Sequence, residues 1–473
     1  MRRPRLPGRR ARRSWAPPSP YPAGVAGRAW FGLYLGDGPQ GPVFSGPESS
    51  ALVLGPPRSG KTTSIVVPCV LDAPGACVST STKPDVLGAT GPWRHMVGRC
   101  FVFDPTGSVA IPRDAVALRW SPVTGCQDFE RAVATAHALA SAARPLAHLS
   151  EAAHWVERAE ALLAPLLFAA ALSGAGMAAL CRWVLSRDLE AAERIVGSAG
   201  HELAAAVLEG VSATDERERS GIFSTAAGVL AAYRSEAALQ SASDPNFSPE
   251  AFAGSTDTVY ICAPGHAQAQ LAPVVVALLD AIRQAVYARP GGAAPVVFAL
   301  DEVANIAPLP SLPALAAEGG GQGLVTLACL QDLSQGRARW GEQAEGFFSL
   351  FSAKVLFPGI GDERTLSLVS SLAGERPVPM WTRTRGQNSS VSQSWTWRPV
   401  LPPSAVSSAP PGAALLVSGG SIRSLSVRPW WRHPVWSSYA GRTEPVGTER
   451  LRPPNFFSPT SGREVLSSGP TVP

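Results

Sequence analysis

Apolar residues follow different rhythms along this chain. Short apolar runs come first: Ser50-Ala51-Leu52-Val53-Leu54, Ala76-Cys77-Val78-Ser79-Thr80 and Cys100-Phe101-Val102-Phe103-Asp104. Runs that short and that apolar predict strands covered on both faces, as in a parallel sheet, with their polar residues at the strand ends. From 126 to 240 the rhythm changes. Alanine-rich segments at 129–143, 153–171, 177–186 and 222–238 place apolar residues at helical spacing, which predicts an all-helical insertion. Strand-like runs then return at Thr258–Cys262, Pro295–Leu300, Leu324–Leu330, Lys354–Phe357 and Ala413–Val417, with a helix expected over 268–288. Short strands and turns are expected over 29–48. The pattern predicts an α/β fold with a parallel-rich central sheet, formed by 28–125 together with 241–432 and interrupted by the helical block 126–240. Residues 1–27 read as a disordered basic arm and 433–473 as a disordered tail. The Pro/Ser-rich stretch 376–410 reads as loop or disorder.

Composition narrows the class. The chain has 473 residues, 45% hydrophobic and only 16% charged, which is enough to bury a large core and too little charge for a disordered protein. The net charge of +5 is unevenly spread. Residues 1–13 carry seven arginines and 375–473 a further +7, leaving −9 for residues 14–374. An acidic body therefore has basic ends, the kind that touch nucleic acid or anionic lipid or stay solvated. Seven scattered cysteines form no CxxC pair and read as reduced, buried thiols. The seven histidines form no metal-binding pattern. The uncharged stretch 161–181 is long enough for a membrane span. Its alanine and glycine content and the turn-like Ser173-Gly174-Ala175-Gly176 instead predict two buried helix segments. No transmembrane helix is expected, and the location expected is cytoplasmic, with peripheral attachment at the inner face of the cell membrane left open.

The chemistry concentrates at three strand ends. Gly55-Pro56-Pro57-Arg58-Ser59-Gly60-Lys61-Thr62 fits G-x4-G-K-[ST], and Thr63 continues it into an expected helix. Such a loop turns backbone N–H groups around phosphate oxygens at a helix start. Lys61 would neutralise the outer phosphates, and Thr62 would place its hydroxyl on Mg²⁺. Lys61 is one of just three lysines in the chain. The strand 295–300 ends in Asp301-Glu302. Asp301 is assigned to the metal shell and Glu302 to orienting and deprotonating an attacking water. Gln331 ends the following strand, where an amide can bond both a terminal phosphate and that water. Six of the thirteen tryptophans fall among arginines between 381 and 436. Base stacking and packing against the sheet both suit them, and packing is the reading favoured.

Several stretches together resemble a known family: LVLGPPRSGKTTSIVVP, STKPDVL, VFDPTG, FALDEVANIAPLPSLPALAAEGGGQGL and LQDLSQ, in that order. They are similar to the TraG/TraD-type coupling ATPases of conjugation and type IV secretion, over most of 45–375. The resemblance implies a RecA-like P-loop NTPase with an inserted helical domain, related to FtsK/HerA motors. It implies ATP and Mg²⁺ as cofactors, Gly55 to Thr62 as Walker A, Asp301-Glu302 as Walker B and Gln331 as the strand-end glutamine. Lys83 falls where the family often has a Pro-Lys-Gly-Glu run. The partners implied are DNA or a relaxase–DNA nucleoprotein, a secretion-channel or membrane-anchor protein, and further copies of the chain in a homo-hexameric ring. Two features depart from the family. No membrane-spanning candidate precedes Gly55. Glu318-Gly319-Gly320-Gly321-Gln322 also lacks the family's basic residues before the glycine matching Gly323, so Arg337, Arg339 and Arg364 are positional candidates for an arginine acting in trans. Two alternatives stay open: an ATP-binding substrate receptor with weak or no turnover, and a related motor for DNA partition or protein export.

Overall fold

The computed structural model describes residues 30–143, 150–384 and 390–439; the basic arm and residues 440–473 of the tail lie outside these. Fourteen strands are found: β1 (Tyr34–Gly38), β2 (Gly41–Phe44), β3 (Ala51–Leu54), β4 (Cys77–Ser81), β5 (Cys100–Phe103), β6 (Ala115–Ala117), β7 (Thr258–Cys262), β8 (Val296–Leu300), β9 (Leu324–Leu330), β10 (Ala353–Leu356), β11 (Glu375–Thr384), β12 (Ser390–Pro399), β13 (Ala413–Ser418) and β14 (Ser421–Ser426). Twelve of them form one sheet in the order β2-β1-β14-β13-β10-β3-β9-β8-β4-β7-β5-β6. From β10 to β6 every neighbour runs parallel, and the β13, β14, β1 and β2 end is antiparallel.

The short apolar runs become strands because both their faces are covered. Alternate residues feed two cores. Leu52, Leu54, Phe101, Phe103, Phe298 and Leu300 pack on one face with the helical block and the helix Gln268–Ala288. Ala51, Val53, Cys100, Val102, Val297 and Ala299 pack on the other with the helices following β3 and β4. Between β6 and β7 every described element is helical, from Phe129–Ala142 to Pro249–Ala253. The stretch 161–181 is divided between Ser150–Ser173 and Gly176–Ser186, with a turn at Gly174. Gln268–Ala288 is the one described helix long and apolar enough to cross a membrane, but most of it is buried in the fold. All seven cysteines are free and buried.

Two stretches differ from the sequence expectation. Within 376–410, expected as loop or disorder, β11 and β12 form a two-stranded hairpin and pair only with each other. Residues 433–439, expected in the tail, pack into the core. His433 and Trp436 are buried against Tyr34, and the His433 ring lies 3.2 Å from the Asp37 carboxylate. The tryptophans divide accordingly: Trp430 and Trp436 are core residues, whereas Trp381, Trp395 and Trp397 stand exposed on the hairpin.

Candidate nucleotide-binding site

The carboxyl ends of parallel strands in an open α/β sheet are where ligands gather, and the candidate residues meet there. β3 lies between β10 and β9, and β9 lies between β3 and β8. The glycine-rich loop therefore leaves the sheet two strands from Asp301, with Gln331 between. The loop is anchored to that neighbour: the Gly55 N–H donates to the Leu330 carbonyl at 3.2 Å. Gly55 has no room for a side chain, since a Cβ would lie 2.7 Å from Phe357 Cβ and 2.8 Å from Ser59 Oγ. Gly60, at φ +98°, takes a conformation that side chains rarely adopt. Arg58 also has a positive φ, of 64°, and is exposed together with Pro57; Pro56 is half-buried. Thr62 and Thr63 are half-buried at the first turn of the helical run Thr62–Asp72, which opens with a π-helical segment.

Lys61 is buried, and its Nζ donates to the carbonyls of Gly55 and Pro56, the latter at 3.1 Å. The Thr62 hydroxyl donates to Asp301 Oδ2 across 239 residues of sequence. Thr80, at the end of β4, fixes the same residue from the other side through its hydroxyl and the Asp301 carbonyl at 2.7 Å. Glu302 follows with φ +55°, an unusual backbone for a side-chain-bearing residue and the kind of local strain that clusters at functional sites. Asn305 Nδ2 donates to Glu302 Oε2 at 3.1 Å, holding the carboxylate in place. Gln331 is half-buried, and its backbone N–H is taken by Gln335 Oε1 at 2.9 Å.

Burial pushes the Asp301 carboxyl up to about 6, against the opposing pull of the Thr62 hydrogen bond and the Lys61 charge. A folded-state value above the unfolded one means that the folded protein binds the proton more tightly. The stability this contributes is present in acid and declines as pH rises from about 4 to about 6, by roughly 3 kcal/mol for a shift of this size. Asp301→Asn removes this slope. Without nucleotide or magnesium, urea titrations from pH 4 to 7 should show the variant gaining about 3 kcal/mol on the parent; a constant difference would contradict the assignment.

The residues suit a magnesium nucleotide. Ser59 Oγ, inside the loop, is buried without a hydrogen-bond partner. A hydroxyl donor left over in a glycine-lined turn is complementary to phosphate oxygens. Asp301 and Thr62, already in contact, form an all-oxygen pair of the kind magnesium takes. Ser59 belongs to the expected phosphate loop, whereas Thr80, Asn305 and Phe357 were not singled out from the sequence. Thr80 and Asn305 act through Asp301 and Glu302, and only the fold shows that. Lys83 is exposed on the turn after β4.

Of the three arginine candidates, two are engaged within the chain. Arg337 pairs with Asp362 at 2.7 Å and Glu345 at 3.4 Å, and Arg339 donates to the Ala142 carbonyl at 2.7 Å. Arg364 is exposed, with no ion pair or hydrogen bond among the described residues. Gly320 has a packing reason: a Cβ on it would lie 1.7 Å from the Glu48 carbonyl oxygen. Any side chain there, basic or not, would displace the strand-entry loop.

The TraG-D_C family, described as the TraM recognition site of TraD and TraG, matches residues 295–411. No curated protein sequence gives a significant match. The fold is shared with solved structures of the plasmid coupling protein TrwB. A complex with a non-hydrolysable ATP analogue is 18% identical over 86% of this chain and 97% of that one, with a TM-score of 0.63. An unbound form gives 18% over 81% and 85%, with a TM-score of 0.61. A complex with ADP and Mg²⁺ gives 18% over 81% and 86%, with a TM-score of 0.58. The fold is thus that of a RecA-like P-loop protein. The family match is confined to residues 295–411, and the structures show that the fold of this chain is shared with that coupling protein.

Proposed function

We propose that this protein is an ATP-driven coupling protein that moves DNA or a relaxase–DNA nucleoprotein toward a type IV secretion or conjugation channel, working as a homo-hexameric ring. The observation that carries the reading is the contact between Thr62 and Asp301. It joins the phosphate-loop helix to the acidic strand end, the two halves of a nucleotide-hydrolysing site. The TrwB complexes with an ATP analogue and with ADP and Mg²⁺ support the choice of ligand. The TraM-recognition description of 295–411 supports a place in conjugation.

The loop N–H groups of Arg58 and of Gly60 to Thr63 would wrap the phosphates, and Lys61 would exchange its two carbonyl partners for terminal phosphate oxygens. Thr62 and Asp301 would hold Mg²⁺, which when bound neutralises charge developing on the phosphates. Glu302, steadied by Asn305, takes the proton of the attacking water. Gln331 bonds that water and the terminal phosphate, linking hydrolysis to the strand that separates the two motifs. A neighbouring subunit's Arg364 is the free candidate among the three for completing the site in trans.

A second reading is favoured by the same arginine geometry. With Arg337 and Arg339 engaged and no room for a side chain at Gly319 or Gly320, the chain would bind ATP and recruit substrate with little turnover. Assays with and without DNA separate the two. The motor reading expects DNA to stimulate hydrolysis and native mass to show rings with an ATP analogue. Monomers in every condition, with no stimulation, would overturn it.

A further inference from the structure

The β11–β12 hairpin contributes to neither core. Among its residues of described exposure, all but the half-buried Val378 are exposed. A lone two-stranded ribbon is marginally stable in water, and this one shows three large aromatic rings to solvent: Trp381 at 66%, Trp395 at 62% and Trp397 at 64% exposure. An apolar surface of that kind marks an interaction site.

The pairing sorts the residues onto two faces. Pro377 opposes Trp397, Pro379 opposes Trp395, and Trp381 opposes Gln393. Alternation along each strand gathers Trp381, Trp395 and Trp397 on one face with Pro377, Pro379 and Val391, a face whose register also takes in Gln393 and Arg383 and, at the base, Glu375 and Pro399. The reverse face has Arg376 directly opposite Arg398, followed by serines and threonines beside Val378 and Met380. Like charges facing each other across a ladder are destabilising. Neither arginine has an acidic partner among the described residues; Arg398 reaches only the Met380 sulfur, at 3.9 Å. Residues 375–399 hold four arginines and one glutamate, whereas residues 14–374 carry −9.

We propose that this hairpin docks on an anionic membrane surface, its tryptophan face in the interfacial layer and the Arg376–Arg398 pair at the headgroup phosphates. Indole rings favour the membrane–water interface. Guanidinium groups match phosphate geometry, and the anionic leaflet attracts them. Single-stranded nucleic acid, which rings and arginines on one ribbon also suit, is the competing occupant that the test below separates. Pro377 and Pro379 remove N–H donors from β11 and so disfavour strand addition along that edge. The inference does not depend on ATP hydrolysis.

The test is co-sedimentation of the full chain with vesicles of phosphatidylcholine, alone or mixed with phosphatidylglycerol. The parent should pellet with the mixed vesicles. Trp381→Ser/Trp395→Ser/Trp397→Ser should weaken that partition about tenfold or more. Arg376→Glu/Arg398→Glu should remove the preference for phosphatidylglycerol. Unchanged ATP-analogue affinity in both variants verifies the fold, since the hairpin lies outside both cores. Variants that pellet like the parent would overturn the proposal; vesicle binding would then belong to another segment, such as the arginine-rich arm. Loss of binding to a single-stranded oligonucleotide in the tryptophan variant, with vesicle binding intact, would overturn it in favour of nucleic acid.

Discussion

With Glu302 replaced by Gln, ATP turnover is expected to fall about a thousandfold, the middle of the range for losing a positioned general base, while ATP-analogue affinity changes little. The side chain keeps its length and can still accept the 3.1 Å bond from Asn305 through its amide oxygen. It loses the basicity needed to take a proton from water. Glutamine is also no worse suited than glutamate to the positive φ of residue 302, so the backbone strain is unchanged and the variant should fold. Single-turnover hydrolysis measured beside analogue binding checks this. Equal loss of both would make Glu302 a structural residue. Unchanged turnover would assign the base to another group.

Lys61→Met is expected to act on binding instead, weakening affinity for magnesium ATP by about a thousandfold, roughly 4 kcal/mol. Two effects add in the same direction. The ammonium that would bond the terminal phosphates is lost, and such charge-assisted bonds are the strong ones. The charge that opposes the rise in the Asp301 pKa is lost as well, so Asp301 holds its proton to higher pH and is a poorer magnesium ligand at neutrality. The second effect predicts coupling: Asp301→Asn should cost less in a Lys61→Met background than in the parent, which a double-mutant cycle reads directly. Strict additivity would contradict the shared electrostatics.

The sequence made the phosphate loop and the strands legible because both are local demands. Gly55 and Gly60 are required by backbone approach and positive φ, and the apolar runs are required by burial on both faces. What it hid is non-local. Nothing near Arg337 announces Asp362, or near Arg339 the Ala142 carbonyl, and those contacts decide which arginine is free. His433 and Trp436 sit among prolines and arginines that read as tail, while their aromatic partner Tyr34 lies at the other end of the described chain. The hairpin was obscured by its prolines and serines, although the alternation of Gln393, Trp395 and Trp397 with Ser394 and Thr396 was a usable period-two signal. β14 escaped because its one buried residue, Leu425, gives no alternation to read.

The most direct measurement is calorimetric titration of the full chain with a non-hydrolysable ATP analogue, with and without magnesium. Binding that is saturable, tightened by magnesium and abolished in Lys61→Met is the result this geometry predicts. A folded protein that takes up no analogue in either condition would contradict it.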